Sequence, residues 1–295
     1  MNPLPPPQVP FSNWSQFVQV CWAWGRRYTD IGVLHKWLDH AHGEMTREYQ
    51  ASEHLIRPSG NIDCAMKPYL IEQGFVPEGP SGSAQVTFNV GHLLHAHAHA
   101  YIESAIPDGF WQSPEERVDL WDIPWWPQDE ERARRYGTAD LVIGCEDDEA
   151  AHSYFGGNLP AQFHLVDYKS SSGTGWRKHN TWFPNEDVDT FGSLSQLAVY
   201  REALGLVDDT TLALISRDGL SEQFHLAARP VAADALDEEI ARVKDRVTNP
   251  QAHPEKLEVW GKKAHACCGV GRAKQWWSCR FGMACQEFWR EADKR

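Results

Sequence analysis

The sequence predicts an α/β fold: a small mixed sheet flanked by helices, with helical parts at both ends of the chain. Three observations predict it. Apolar residues recur at helical spacing through the N-terminal third. The pattern then switches to the period of two that strands require, because successive strand side chains point to opposite faces. One long helical stretch interrupts the strand-like segments in the C-terminal half. With 295 residues, 42% of them hydrophobic, the chain is long enough for one proper core. The expectation is therefore one domain over 1–295, made of a helical N-terminal extension (1–56), a core (57–260) and a Cys-rich tail (261–295).

The elements follow in order. Ser12 to about His40 carries Trp14, Phe17, Val18, Val20, Cys21, Ile31, Val33, Leu34, Trp37 and Leu38 at helical spacing. After the loop Arg57-Pro58-Ser59-Gly60 a helix is expected from Ile62 to Gln73, ended by Gly74 as C-cap. Pro77, Gly79, Pro80 and Gly82 mark a loop, and a helix runs from Val86 to Ala105. Arg117–Ile123, Thr138–Ile143 and Phe163–Lys169 read as strands, the last followed by a polar loop, Ser170 to Gly175. A helix from Phe191 to Leu204 comes next. Thr210–Ser216 and Glu222–Ala228 read as a hairpin about Asp218-Gly219, and Val231–Val247 as an amphipathic helix. Trp125 and Trp126, between Pro124 and Pro127, read as a rigid apolar loop, packed inward or stacking bases.

Charge limits the partners. The formal net charge of -13 argues against a protein that coats nucleic acid without specificity, because phosphate neutralisation needs Lys and Arg. A local basic strip on an acidic body remains compatible with it, and a cation site needs carboxylates. No segment is apolar for long enough to span a membrane, and Met1 to Pro10 lacks a signal-peptide pattern, so a cytoplasmic protein is expected. No G-x-x-x-x-G-K-[ST] phosphate loop occurs, so no helicase motor is expected in this polypeptide.

Four groups of residues carry candidate chemistry. In Val166-Asp167-Tyr168-Lys169 the two charged side chains share one strand face. Asp167 could hold a divalent cation while Lys169 orients water or offsets negative charge, which suits phosphodiester hydrolysis. Asp140, in Gly137-Thr138-Ala139-Asp140, reaches the same cation if the two strands pair; otherwise it is a strand-edge acid. His92, His95 and His99 lie on one helix face, with His97 beside them, and read as a ligand or as structural histidines. Gln196 and Tyr200, one helical turn apart, suit contact with water, phosphate or base, or equally a surface amide and a core phenol.

There are seven Cys, and Cys267, Cys268, Cys279 and Cys285 crowd into the tail. In a cytosolic chain that pattern points to metal ligation rather than disulfides, whereas Cys21 and Cys145 look like core residues.

A helix with His, a strand with Asp, a strand with D-x-K and a helix with Q-x-x-x-Y, in that order, resembles the RecB-like branch of the PD-(D/E)XK nucleases. The resemblance spans about residues 57 to 290. It implies a restriction-endonuclease-like core in which His95, Asp140, Asp167 and the Tyr168 carbonyl bind Mn²⁺ or Mg²⁺. His95 is chosen because the family places its His four residues after a Gly, here Gly91. Lys169, Gln196 and Tyr200 complete the implied active site. One N-terminal Cys followed by C-terminal cysteines is similar to the iron–sulfur branch of this family: the AddB nuclease domain, the CRISPR spacer-acquisition exonucleases and their phage relatives. That implies a [4Fe–4S] cluster on Cys64, Cys268, Cys279 and Cys285, with Cys267 as substitute for Cys268. The family's usual C-x2-C-x5-C ending is altered, since Trp276 stands where its first Cys would be, and zinc is the competing occupant.

The expected activity is metal-dependent hydrolysis of DNA, as an exonuclease on single-stranded or end-exposed DNA in recombination, repair or CRISPR-like processing. A helicase or another recombination or CRISPR protein is the expected partner, in a bacterial or phage-infected cell. The alternative is a catalytically silent DNA-end-binding or complex-subunit module of the same fold.

Overall fold

A computed structural model of the chain describes residues 3–46, 55–59, 62, 66–75, 82–157, 162–171, 193–216 and 226–249. The four cysteines expected to hold a cluster (Cys64, Cys268, Cys279 and Cys285), the substitute Cys267, the Asp218-Gly219 turn and the tail from Gly261 lie outside the described residues.

The order is α1 (Trp14–Tyr28), α2 (Ile31–Thr46), α3 (Met66–Glu72), α4 (Gly82–Ala105), β1 (Phe110–Asp119), β2 (Tyr136–Cys145), α5 (Asp148–Phe155), β3 (Phe163–Ser171), α6 (Ser193–Ala203), β4 (Thr210–Ser216), β5 (Leu226–Val231) and α7 (Ala233–Thr248). The strands form one five-stranded mixed sheet in the order β1-β2-β3-β4-β5, flanked by helices. β3 and β4 are parallel and the other neighbours antiparallel. The helix predicted between the third and fourth strands is the crossover that parallel pairing demands. Among the described residues no helix is long and apolar enough to cross a membrane.

The sheet is covered on both faces. One apolar cluster joins Trp14, Phe17, Val18 and Cys21 of α1 and Leu94, Ala98 and Ile102 of α4 to Leu141, Ile143, Val166, Tyr168 and Ala213. The other joins Leu70 of α3, Leu197 and Val199 of α6 and Leu236, Val243 and Val247 of α7 to Val118, Ala139, Leu165 and Leu212. Helices α1 and α4 cross in near backbone contact: a Cβ on Gly25 would lie 1.9 Å from the Tyr101 carbonyl oxygen. Cys21 and Cys145 are buried free thiols, as expected of core residues.

Several elements depart from the sequence reading, each for a physical reason. The helical run from Ser12 is two helices: Thr29 turns extended, and the Asp30 carboxylate accepts the Gly32 N–H at 2.7 Å, starting α2. The strand expected at Arg117–Ile123 lies instead at Phe110–Asp119. Leu120 and Ile123 are buried because a turn tucks them under, with the Ile123 N–H donating to the Leu120 carbonyl. The true strand was hidden by polar residues and Pro114, which marks an edge strand. Helix α5 was not foreseen, although Asp147 caps its first N–H groups and Gly156 closes it in the left-handed region. The Trp pair packs inward: Trp126 is 1% exposed and donates to the Arg134 carbonyl, and Trp125 donates to Glu202.

Candidate active site

The sheet opens where β2 and β3 part. Their ladder runs from Gly144–Phe163 to Leu141–Val166, and the next pair in register would be Asp140 opposite Asp167. The ladder stops there, so a backbone N–H loses its partner strand. Asp140 supplies the replacement, its Oδ2 accepting the Tyr168 N–H at 2.7 Å. Two carboxylates therefore face each other across a splayed strand pair, each fixed by its own strand.

Lys169 sits on the same strand face as Asp167, as the period of two requires. Its Nζ donates to Asp167 Oδ1 at 2.7 Å and to Gln196 Oε1 at 3.2 Å. Gln196 comes from α6, which the β3–β4 crossover carries over this face. Tyr200, one turn along, is 3% exposed and reaches the backbone rather than the cleft: its hydroxyl accepts the Thr138 N–H at 3.3 Å. Gly137 is the residue that admits it, since a Cβ there would lie 2.4 Å from Tyr200 Cε1. The phenol thus positions the strand that carries Asp140.

Helix α4 crosses the other face. His95 Nδ1 lies 3.7 Å from Asp140 Oδ1. That is too long for a hydrogen bond, but two ligands of one cation at about 2.1 Å stand roughly 3–4 Å apart. Burial, then the charge of Lys169, lowers the His95 pKa to about 4, so its ring is neutral at pH 7 with a lone pair to donate. His99 points deeper, 1% exposed, its ring packed near Trp37 and Tyr168. His97 is bonded to the Leu93 carbonyl.

Burial raises the pKa values of both Asp140 and Asp167, with Lys169 opposing the rise and each carboxylate bearing on the other. Asp167 is 2% exposed, and its Oδ2 is buried with no hydrogen-bond partner. An orphaned buried carboxylate oxygen costs free energy unless something positive meets it. Two carboxylates and a neutral imidazole make a donor set that fits Mn²⁺ or Mg²⁺. These donors adjoin one another without yet closing on one point: among the described residues no three His, Cys, Asp or Glu side chains form a ready-made metal group.

Two residues at the site went unnoticed in the sequence. Glu115 lies opposite Asp140 in the β1–β2 register, at the one gap in that ladder, and its φ is +52°. Such a conformation is strained for a non-glycine residue. The Glu115 carboxylate is 2.6 Å from His40 Nε2 of α2, and its charge bears on both Asp140 and His95. Pro114 inside a strand pattern was the available signal.

Comparison with protein-family models, with curated proteins and with solved structures finds no match to this chain.

Proposed function

We propose that the chain is a metal-dependent DNA nuclease with a PD-(D/E)XK-type core, acting on single-stranded or end-exposed DNA. The observation that carries the reading is the pairing of Asp140 and Asp167 at the splay of β2 and β3, with the buried Asp167 Oδ2 unpartnered and Lys169 bonded to the same carboxylate.

In this reading His95, Asp140, Asp167 and the Tyr168 carbonyl hold Mn²⁺ or Mg²⁺. The cation supplies Lewis acidity toward the phosphate and lowers the pKa of bound water. The chain's own residues do the rest. Asp140 keeps β3 in place through the Tyr168 N–H, so both carboxylates stay at fixed spacing. Gln196 and Asp167 hold the Lys169 ammonium beside the acids, where it orients the attacking water or offsets charge developing on the phosphate. Tyr200 acts at one remove, through the backbone of β2.

The [4Fe–4S] cluster belongs to the same proposal as a structural staple, since hydrolysis needs no electron transfer. Support comes from the edges of the described residues. Arg246, in the last turn of α7, donates to the Ile62 carbonyl at 3.1 Å. Ile62 stands two residues before Cys64, and α7 is the last described helix before the Cys-rich tail. That side-chain contact ties the last turn of α7 to a residue near Cys64 in sequence.

End-labelled single-stranded DNA incubated with Mn²⁺ or Mg²⁺ tests the reading. The wild type is expected to degrade it, and Asp167→Ala or added EDTA to stop degradation. An inert wild type with its metal centre intact would reject the enzyme and favour the DNA-end-binding module.

A further inference from the structure

Beyond the acids, the β1–β2 hairpin carries a strip that the active-site reading does not use. Gly137 and Ala139 turn toward α6 and its apolar cluster, so Tyr136 and Thr138, which lead along β2 to Asp140, face the other way. In register, Arg117 stands beside Thr138 and Asp119 beside Tyr136. The Arg117 guanidinium lies over the Tyr136 ring at 3.4 Å from its centroid. Arg135 lies over the same ring at 5.0 Å and over Trp121 at 4.9 Å. Arg117 and Arg135 are exposed, and Tyr136 and Trp121 are half-buried. Asp119 tempers the charge, with Oδ2 3.6 Å from Arg135 Nε and Oδ1 accepting the Trp121 N–H.

We infer that Arg117, Tyr136, Arg135 and Trp121 form a docking track for one unpaired nucleic-acid strand running to the acid pair. The inference rests on the nuclease reading and says where the substrate lies. A guanidinium flat on a ring spends its face on the ring and keeps its N–H groups in plane, where they match phosphate geometry. A base can extend the same stack, because arginine planes and aromatic rings accept any base face. At about 3.4 Å per strand residue, Thr138 is roughly 7 Å and Tyr136 roughly 14 Å from Asp140, so the strip is continuous with the cleft. On a chain of net charge -13 it is a place where exposed arginines lie over aromatic rings on the hairpin that carries Asp140. A paired duplex would leave the rings no base face to stack on, which selects a single strand.

The test is binding of fluorescein-labelled oligo(dT) to the full chain in EDTA, followed by anisotropy across a salt series. Arg117→Gln/Arg135→Gln is expected to weaken binding about tenfold at moderate salt and to flatten the plot of log K against log salt by roughly 1.4, about 0.7 per lost phosphate contact. Unchanged affinity and slope would overturn the track. A second measurement needs no variant: in the wild type, oligo(dT) should shield Arg117 and Arg135 from phenylglyoxal, and modification at the unprotected rate would also overturn it. Cleavage in Mn²⁺ is read separately. Strip-dependent binding without cleavage supports the track while removing the nuclease reading; cleavage with strip-independent binding removes the track and leaves the nuclease standing.

Discussion

Replacing Asp167 by Asn should stabilise the metal-free protein while removing its chemistry. The carboxyl is 2% exposed, and burial raises its pKa to about 7, with Lys169 pulling it down and Asp140 pushing it up. An unfolded aspartate titrates near 3.9, so the gap is about three units, or about 4 kcal/mol at roughly 1.4 kcal/mol each. The attraction of Lys169 is already contained in that figure. Asn keeps the shape and stands in for the uncharged carboxyl, so the expectation is up to about 4 kcal/mol of added stability, or a Tm higher by roughly 10 °C. A carboxyl whose folded pKa is raised contributes stability that is complete below its unfolded pKa and is lost as pH rises through its folded one. The advantage of Asp167→Asn is therefore absent near about pH 4, opens above it and is full above about pH 7. His99 and His164, whose shifts do not involve Asp167, titrate alike in both proteins and cancel in the comparison. Urea unfolding in EDTA at several pH values measures it. A variant no more stable than the wild type, or a difference that does not change with pH, would refute the reasoning.

Two other outcomes follow from the packing and from the tail. Gly137→Ala puts a methyl 2.4 Å from Tyr200 Cε1, and should cost about 1–3 kcal/mol and displace the strand carrying Asp140; thermal melts and Mn²⁺-dependent cleavage should fall together, and an unchanged melt would contradict the tight contact. Anaerobically purified protein should be brown and hold about four iron atoms per chain, lost in Cys64→Ala; a colourless protein with stoichiometric zinc would remove the cluster and leave the proposal for the acid pair untouched.

The residues that pack and pair locally were legible in advance. Thr210–Ser216 is a strand from end to end, and α6 and α7 lie within two residues of their expected limits, because their apolar spacing is continuous. The splay joining Asp140 to Asp167 was legible only as a condition, that the two strands pair. Register decides it, and register depends on neighbours distant in sequence. Pro114 marked the strand beside Glu115, but the contact with His40 was illegible for that reason, since nothing local says that α2 reaches the β1 gap. Tyr200 shows the limit differently. Its spacing from Gln196 put both on one helix face, but only the close approach of Gly137 settles that the phenol props a strand.

The central claim is that His95, Asp140 and Asp167 converge on one cation. Calorimetric titration of the metal-free chain with Mn²⁺ tests it most directly, alongside His95→Ala, Asp140→Ala and Asp167→Ala. The account predicts Mn²⁺ binding in the wild type that each substitution abolishes or weakens at least tenfold, about 1.4 kcal/mol or more. Mn²⁺ binding that survives all three substitutions unchanged would contradict it.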